Sequence, residues 1–261
     1  MDISINQIVI ITMVYTVIEI FAIAAGGGGS FLRQPFLLFM GLPPKQAIAT
    51  DIVTDIVGES TMIYQFNKRK LIFWRIGLLF AFCSSIGALF GNYIFYQIDS
   101  ANLVKLLTVL VVIFTIYNCY KVFINSSKKD PNEISVKKLT NKQIYFYGIF
   151  FGLIMGAYNN IISAGEGNIV TMILLYFFGF KYLEARGTAQ LIFVPARFIA
   201  IIFGFYKGIL YLPLLIPIWL GGFISGYLGS KINFVLPERY LKMAFTFLTI
   251  GISIKLVLDN F

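Results

Sequence analysis

The sequence contains no histidine and only two cysteines, and these absences exclude several kinds of site. Without histidine the chain cannot form a Ser-His or Cys-His dyad, an HExxH zinc site or a His-ligated haem. Cys83 and Cys119 lie inside apolar runs without CxxC spacing, so we interpret them as small buried hydrophobic residues. Most membrane-embedded enzymes that depend on such groups are therefore excluded.

Charged residues are also scarce, at 13% of the 261 residues, whereas hydrophobic residues make up 58% and the mean hydropathy is +0.82. This composition is too apolar for the surface of an ordinary soluble domain. The 27 phenylalanines and 23 glycines are typical of membrane helices, which use glycine for close packing and aromatic residues at the interface. The sequence predicts an all-α integral membrane protein whose surroundings are the lipid bilayer.

Long apolar segments define the expected membrane crossings. An α-helix needs about 20 apolar residues to cross the hydrocarbon core. Eight segments have about this length: residues 8–25, 46–66, 72–97, 103–124, 143–163, 183–206, 209–232 and 241–258. Two shorter apolar stretches, residues 31–42 and 168–180, each follow a Gly-rich break. We predict that they form short broken or re-entrant helices.

The second half of the chain repeats the first without gaps at an offset of 138 residues. The coinciding residues include Gly27 with Gly165, Gly29 with Gly167, and Thr50 with Thr188. Internal duplication is the usual plan of secondary transporters. We predict a first transmembrane repeat over residues 1–124, a linker over residues 125–142 and a second transmembrane repeat over residues 143–261.

The basic residues indicate how these repeats lie in the membrane. Each repeat has five segments, and an odd number would invert the second repeat relative to the first. That arrangement places 16 Lys and Arg residues in inside loops and four outside, as the positive-inside rule requires. A parallel arrangement is the alternative and gives a weaker bias. We expect inverted repeats in the plasma membrane, with both termini outside and loop 125–142 in the cytoplasm, and we assign the net charge of +9 to orientation rather than to nucleic-acid binding.

The Gly-rich breaks are the first candidate binding elements. Lipid cannot satisfy backbone N–H groups, so glycines 26–29 must be buried in protein or line a wet cavity. A helix that begins at Ser30 offers a partial positive charge to an anion or a carbonyl oxygen. The repeat partner of this break is the segment 165–168, and tight turns without a ligand are the alternative. The expected substrate-binding residues here are Gly28, Gly29, Ser30, Gly165, Glu166, Gly167 and Asn168.

A second shared pattern follows each short segment. It reads Ala-Ile-Ala-Thr-Asp over residues 47–51 and Ala-Arg-Gly-Thr-Ala-Gln over residues 185–190. Small residues allow the backbone to approach a ligand, and threonine hydroxyls can donate to it; a helix cap or a bond back to the preceding turn is the alternative. The residues expected to line the site are Thr50, Asp51, Thr188 and Gln190.

Carboxylates recur every four residues along the third segment, at Asp51, Asp55 and Glu59, and so share one helix face. Carboxylates within a membrane are costly unless they are protonated, paired or facing water. Glu59 corresponds to Arg197 in the repeat, so we expect an ion pair across a pseudo-two-fold axis. One of these three acids, or Glu166, is a candidate proton relay. The alternative places Asp51 near the interface and the others in a structural pair.

Several of these elements, in their order along the chain, resemble the sulfite exporter family of the TauE/SafE type. The resemblance rests on the Gly-rich break, Pro35, the Gly-Leu-Pro-Pro hinge at 41–44, the Ala-x-x-Thr segment, the basic run at 68–70 and the Gly-x-x-x-Gly at 87–91. It covers both repeats. The resemblance implies a transporter of small sulfur-containing anions, such as sulfite or organosulfonates, often with an export role. It also implies no enzyme activity and no bound cofactor or metal.

Two carboxylates depart from the family pattern, which has neutral or basic polar residues after the threonine. Asp51 follows Thr50 here, and Glu166 lies in the second break. The first hypothesis is therefore an alternating-access carrier for a small anion, coupled to protons through these acids. The second is a carrier for a metal ion or a cationic or zwitterionic metabolite on the same scaffold, with acids as oxygen ligands. The third is a membrane assembly subunit without transport, and a homo-oligomer is left open.

Overall fold

The computed structural model describes residues 4–25, 27–120, 139–236 and 238–260. This part of the chain forms ten α-helices. They are α1 (Ile5–Ala25), α2 (Ser30–Phe39), α3 (Pro44–Lys68), α4 (Trp74–Gln97), α5 (Ser100–Cys119), α6 (Asn141–Ile161), α7 (Glu166–Phe178), α8 (Tyr182–Tyr206), α9 (Leu212–Val235) and α10 (Glu238–Asn260). Most of the predicted linker 125–142 lies outside the described residues.

The helix lengths agree with a multi-pass membrane protein. Within the described residues, six helices are long and apolar enough to cross a membrane, namely α1, α4, α5, α6, α8 and α9. By length and composition, the prediction of eight long crossings is therefore confirmed for these six helices. Helix α3 is 25 residues long, but it carries the three carboxylates noted above. The two predicted short helices are α2, with 10 residues, and α7, with 13.

Equivalent helices of the two halves have matching bounds. Helices α3 and α8 both contain 25 residues, α4 and α9 both contain 24, and each pair begins 138 residues apart. Helices of one half pack against helices of the other half, since α1 contacts α9 and α6 contacts α4. The first helix of each half thus lies against the fourth helix of the other half, and the halves share one interior.

Helices α3 and α8 lie side by side in opposite directions. Arg197, in the second half of α8, donates from Nη1 to the carbonyl oxygen of Ile52 near the beginning of α3 at 2.9 Å. At the other end, Gly187 of α8 lies against the ring of Phe66 near the end of α3. These contacts define an antiparallel pair at the centre of the molecule.

Small residues allow α4 and α6 to approach each other closely. A Cβ added to Gly87 would meet the backbone of Leu153, one on Gly91 would meet Ala157, and one on Gly156 would meet Ser84. Contacts of this kind drive helix association in membranes, where lipid is as apolar as the side chains. The Gly-x-x-x-Gly of α4 therefore serves packing.

Both Gly-rich breaks adopt backbone conformations that favour glycine. The φ angles of Gly27, Gly28 and Gly165 are +113°, +84° and +76°, in the region that L side chains rarely adopt. The chain can therefore leave α1 and re-enter a helix at Ser30 within a few residues, and it passes from α6 into α7 at Glu166 in a similar way. Both turns are buried among the long helices, which places the beginnings of α2 and α7 inside the protein.

Candidate functional site

The two helix breaks contribute to one polar cavity of about 50 Å³. Its lining comes from both halves of the chain and includes Glu19, Gly27, Gly28, Gly29, Ser30, Arg33, Asp55, Glu59, Glu166, Gly167, Arg186 and Gln190. A space of this size holds a few water molecules or a small ion. The arrangement agrees with the expectation that the two breaks meet around a polar cavity.

Arg33 of α2 gathers three carboxylates on one side of the cavity. Its Nε lies 2.8 Å from Oδ1 of Asp51, its Nη2 lies 2.5 Å from Oδ1 of Asp55, and its Nη1 contacts Glu19 of α1. The guanidinium is buried, so each of these ion pairs is shielded from water. Arg33 thereby ties α1, α2 and α3 together beside the first break.

Arg197 of α8 does the same on the other side. Its Nε and Nη2 each donate to one oxygen of Glu59 at 2.6 Å, so the expected Glu59–Arg197 pair is present. The same Nη2 lies 3.0 Å from Glu166 at the beginning of α7 and 3.1 Å from Asp55. Paired, bidentate contacts are the geometry in which a buried charge is stable.

Asp55 connects these two groups. Its Oδ1 contacts Arg33 at 2.5 Å, and its Oδ2 contacts Arg197 at 3.1 Å. One carboxylate therefore bridges an arginine from each half of the chain. Any motion that separates α3 from α8 must break the contacts of both Asp55 and Glu59 with Arg197.

A third arginine, Arg186 of α8, also lines the cavity. It is 1% exposed, and its Nη2 donates to the carbonyl oxygen of Ile23 at the end of α1 at 2.9 Å. A Cβ on Gly27 would lie 3.2 Å from Nη1 of Arg186, so the glycine leaves room for the guanidinium. Arg186 is not one of the predicted site residues. Its position between the small residues Ala185 and Gly187, two residues before Thr188, was the sign of a functional role available in the sequence.

The predicted site residues divide into two groups. The cavity lining contains Gly28, Gly29, Ser30, Asp55, Glu59, Glu166, Gly167 and Gln190. Outside the lining lie Thr50, Asp51, Gly165, Asn168, Thr188 and Arg197, the last of which reaches the cavity through its ion pairs. Seven further residues complete the lining, namely Glu19, Ala22, Ile23, Gly27, Arg33, Met62 and Arg186.

The two equivalent threonines hold helix ends in place. Thr50 Oγ1 accepts a hydrogen bond from the backbone N–H of Tyr211, and Thr188 Oγ1 accepts one from Phe73, each at 3.1 Å. Tyr211 and Phe73 immediately precede α9 and α4, whose first N–H groups need acceptors. Each threonine therefore caps a helix of the other half of the chain, which is close to the capping alternative. Both hydroxyls contact backbone N–H groups rather than the cavity.

Asp51 lies behind the cavity, outside its lining, where it holds three polar side chains together. It is fully buried and accepts hydrogen bonds from Arg33, from the hydroxyl of Tyr15 at 2.6 Å and from Nε2 of Gln34 at 3.1 Å. The same Gln34 nitrogen donates to the carbonyl oxygen of Ile162 at 2.6 Å. Three side chains donate to this carboxylate inside the protein, which is not the interfacial position that the alternative gave it; the predicted contact of Asp51 with substrate stays a prediction.

The remaining two predicted residues support the breaks from outside. Gly165 lies against the ring of Phe31 in a conformation that leaves no room for a side chain. Asn168 lies beside Gly27 and Gly28 and lines a neighbouring cavity of about 40 Å³. Both residues therefore shape the two breaks without facing the central cavity.

These features together define a class of protein. Broken helices that meet at a buried, charged cavity inside a multi-pass helical protein are characteristic of membrane transporters. The chain matches the model of the family described as Sulfite exporter TauE/SafE over residues 11–256, and it belongs to this family.

Similar proteins agree with this assignment. The chain is 22% identical to a "Probable membrane transporter protein" of Haemophilus influenzae, over 100% of this chain and 98% of that protein. It is 21% identical to the "Probable membrane transporter protein ORF9" of Sinorhizobium sp, over 89% and 86%, and 20% identical to the "Probable membrane transporter protein YfcA" of Escherichia coli, over 90% and 84%. No solved structure matches the chain. The protein is a multi-pass membrane protein of a transporter family.

Proposed function

We propose that this protein is an alternating-access carrier of the plasma membrane that moves a small oxyanion, sulfite or an organosulfur compound, together with protons. The observation that carries the proposal is the position of Arg186. Its guanidinium lies in the same small cavity as the glycines that open α2. A guanidinium fork and a helix N-terminus are two elements that bind oxyanions in proteins.

Alternating access is supported by contacts between equivalent residues. Glu59 contacts Arg197, and Thr115 Oγ1 lies 2.8 Å from Ser253 Oγ, and both pairs are separated by 138 residues. A residue that contacts its own equivalent must lie next to a pseudo-two-fold axis. Because the equivalent helices α3 and α8 are antiparallel, this axis is perpendicular to them and lies in the membrane plane. We therefore favour inverted repeats over residues 1–124 and 143–261, which rock against each other about the central cavity.

Proton coupling follows from the charges around the cavity. Five carboxylates (Glu19, Asp51, Asp55, Glu59 and Glu166) face three guanidiniums (Arg33, Arg186 and Arg197). If all are ionised, the group carries two more negative than positive charges and repels an anion. Protonation of carboxylates at the cavity removes this repulsion, so a proton and an anion are expected to bind together. Asp55, Glu59 and Glu166 line the cavity and are the proposed proton carriers.

The proposal is tested by electrophysiology of reconstituted protein on solid-supported membranes. Sulfite, thiosulfate, organosulfonates and divalent cations are applied in turn at two pH values. We expect currents with a sulfur oxyanion that grow with an inward proton gradient and that Arg186→Gln abolishes. Lys105→Gln is the matched control, because it removes one positive charge from an exposed position on α5. Unchanged anion currents in Arg186→Gln would overturn the assignment of the anion site.

A second candidate function is transport of a cation, and the excess of carboxylates over guanidiniums favours it. In this case the acids would be the oxygen ligands of a divalent ion. Glu19, Asp51 and Asp55 contact Arg33, whereas Glu59 and Glu166 contact Arg197. These ion pairs would have to open before the acids could bind a cation. Currents with divalent cations alone, and none with any oxyanion, would support this candidate over the anion carrier.

A further inference from the structure

A second cavity lies away from the charged centre, between the beginnings of α4 and α6. Its volume is about 380 Å³, and its wall is formed largely by apolar side chains, including Ile72, Ile76, Leu79 and Ile144. Helices α4 and α6 are both long and apolar enough to cross a membrane. The ends of such helices lie at the level of the lipid headgroups, so this cavity is a groove that opens at the membrane interface.

The rim of the groove carries hydrogen-bond donors. Arg75 Nη2 donates to the hydroxyl of Tyr145 at 3.1 Å, which links α4 to α6 across the groove. Both side chains are exposed. Trp74, also on the rim, donates from Nε1 to Oδ1 of Asn67 at 3.0 Å, in the position typical of interfacial tryptophan. A guanidinium has five N–H donors, so Arg75 can bind a phosphate group beside Tyr145.

Basic residues lie next to this rim in the sequence. The exposed run Lys68-Arg69-Lys70 ends two residues before Ile72, and the exposed Lys142 lies in the first turn of α6. Clusters of basic residues at the cytoplasmic end of membrane helices attract anionic lipids. The groove thus combines an apolar wall with a cationic rim, which is complementary to a lipid with a charged headgroup.

Comparison of the two halves shows that the fold does not require this charge. At the offset of 138 residues, Arg75 corresponds to Pro213 and Tyr145 to Gln7, while residues 68–70 correspond to Tyr-Lys-Gly at 206–208. Helices α8 and α9 nevertheless have the same lengths as α3 and α4. The basic rim is therefore particular to these ends of α4 and α6 and is not required by the helical scaffold.

We propose that this groove is a specific site for one anionic phospholipid of the surrounding membrane. The phosphate binds Arg75 and the hydroxyl of Tyr145, and an acyl chain lies along Ile76 and Leu79. The site is separate from the charged central cavity and lies between α4 of the first half and α6 of the second half. Its occupant is a lipid rather than free phosphate, because most of the wall is apolar.

The test is native mass spectrometry of the full chain released from detergent micelles with added phosphatidylglycerol or phosphatidylcholine. We expect one phosphatidylglycerol to remain bound and phosphatidylcholine to be lost. Arg75→Gln should weaken phosphatidylglycerol binding about fivefold, the effect expected for one basic residue near a lipid phosphate. Tyr145→Phe should weaken it less, and Leu79→Trp, which fills the groove, should also reduce it.

Lys207→Gln is the matched control, because Lys207 is the exposed equivalent of Arg69 in the other repeat. Equal retention of phosphatidylglycerol in wild type, Arg75→Gln and Leu79→Trp would overturn the proposal and leave the basic residues as an orientation signal only. Displacement of the lipid by inorganic phosphate alone would also overturn it, because it would indicate a free-anion site. If Arg75→Gln does not fold, Tyr145→Phe and Leu79→Trp decide the outcome.

Discussion

Glu59 and Arg197 occupy equivalent positions in the two halves of the chain, and two hydrogen bonds of 2.6 Å join their side chains. An exact two-fold arrangement would place identical residues face to face at this point. Two glutamates or two arginines would repel each other there, whereas this chain has one of each. The contact therefore joins α3 and α8 at their crossing, in the centre of a protein in which most of the surroundings are apolar.

The first prediction concerns the stability of this crossing. Arg197→Met removes the cation shared by Asp55, Glu59 and Glu166, and it leaves buried carboxylates unpaired. Loss of one partner of a buried ion pair costs about 3–5 kcal/mol of unfolding free energy. We expect the melting temperature of the detergent-solubilised protein to fall by about 6–20 °C. Lys105→Met, at an exposed site, should change it little, and equal melting temperatures for the two variants would contradict the prediction.

The second prediction concerns the room for substrate. A Cβ on Gly167 would have Gln190 Nε2 as its nearest neighbour, at 4.0 Å, so the position opens into free space. Gly167→Ala should therefore be tolerated, whereas Gly167→Leu should block transport without loss of folding. Substrate uptake by proteoliposomes and the melting temperature are measured in parallel.

Two comparisons make this test specific. Gly251→Leu is the control, because Gly251 is exposed on α10 with no atom within 4 Å of an added Cβ. Gly29→Ala should behave differently from Gly167→Ala, since its Cβ would lie 2.9 Å from Glu19 Oε2 and 3.0 Å from Arg33 Nη1. Normal uptake by Gly167→Leu would show that substrate does not pass this point.

The third prediction separates two acids that lie on one helix. Asp55 lines the cavity and bridges Arg33 and Arg197, whereas Asp51 lies behind it and accepts hydrogen bonds from three side chains. Asp55→Asn mimics the protonated carboxyl, so it should retain exchange of substrate between equal pools but lose uptake driven by a pH gradient. Asp51→Asn should lower the melting temperature and retain the response to pH. The reverse pattern would move proton coupling back to Asp51.

The fourth prediction concerns topology. The basic-residue distribution predicts that loop 125–142 lies in the cytoplasm and that both termini lie outside. On a background without Cys83 and Cys119, Ser126→Cys should react with a membrane-impermeant thiol reagent only after permeabilisation, whereas Ser4→Cys should react in intact cells. Labelling of Ser126→Cys from outside would reverse the orientation.

Much of the scaffold could be predicted from the sequence. The segment expected at residues 72–97 is α4, Trp74–Gln97, and the one expected at 183–206 is α8, Tyr182–Tyr206. These bounds are accurate because apolar length and Gly or Pro breaks are local properties of the chain. The register of 138 residues also predicted a long-range contact, between Glu59 and Arg197, because a residue near a two-fold axis must face its own equivalent.

The roles of the acids could not be predicted in the same way. A helix turns by about 40° over each step of four residues, so Asp51 and Glu59 point about 80° apart although they share a broad face. This rotation places Asp51 against Tyr15 and Gln34, whereas Glu59 faces the cavity. The sequence shows the spacing of these acids, but not which neighbouring helix covers each one.

The sequence by itself determined that this protein is helical and membrane-embedded, because these properties follow from composition and segment length, and its repeat register predicts a duplication. Only the tertiary structure decided which charges meet. Arg33 is 18 residues from Asp51 and Arg186 is 163 residues from Ile23, and nothing local to either arginine specifies its partner. Burial makes every charge costly until it is paired, so the partners are fixed by how ten helices pack together in the described chain and not by any one of them.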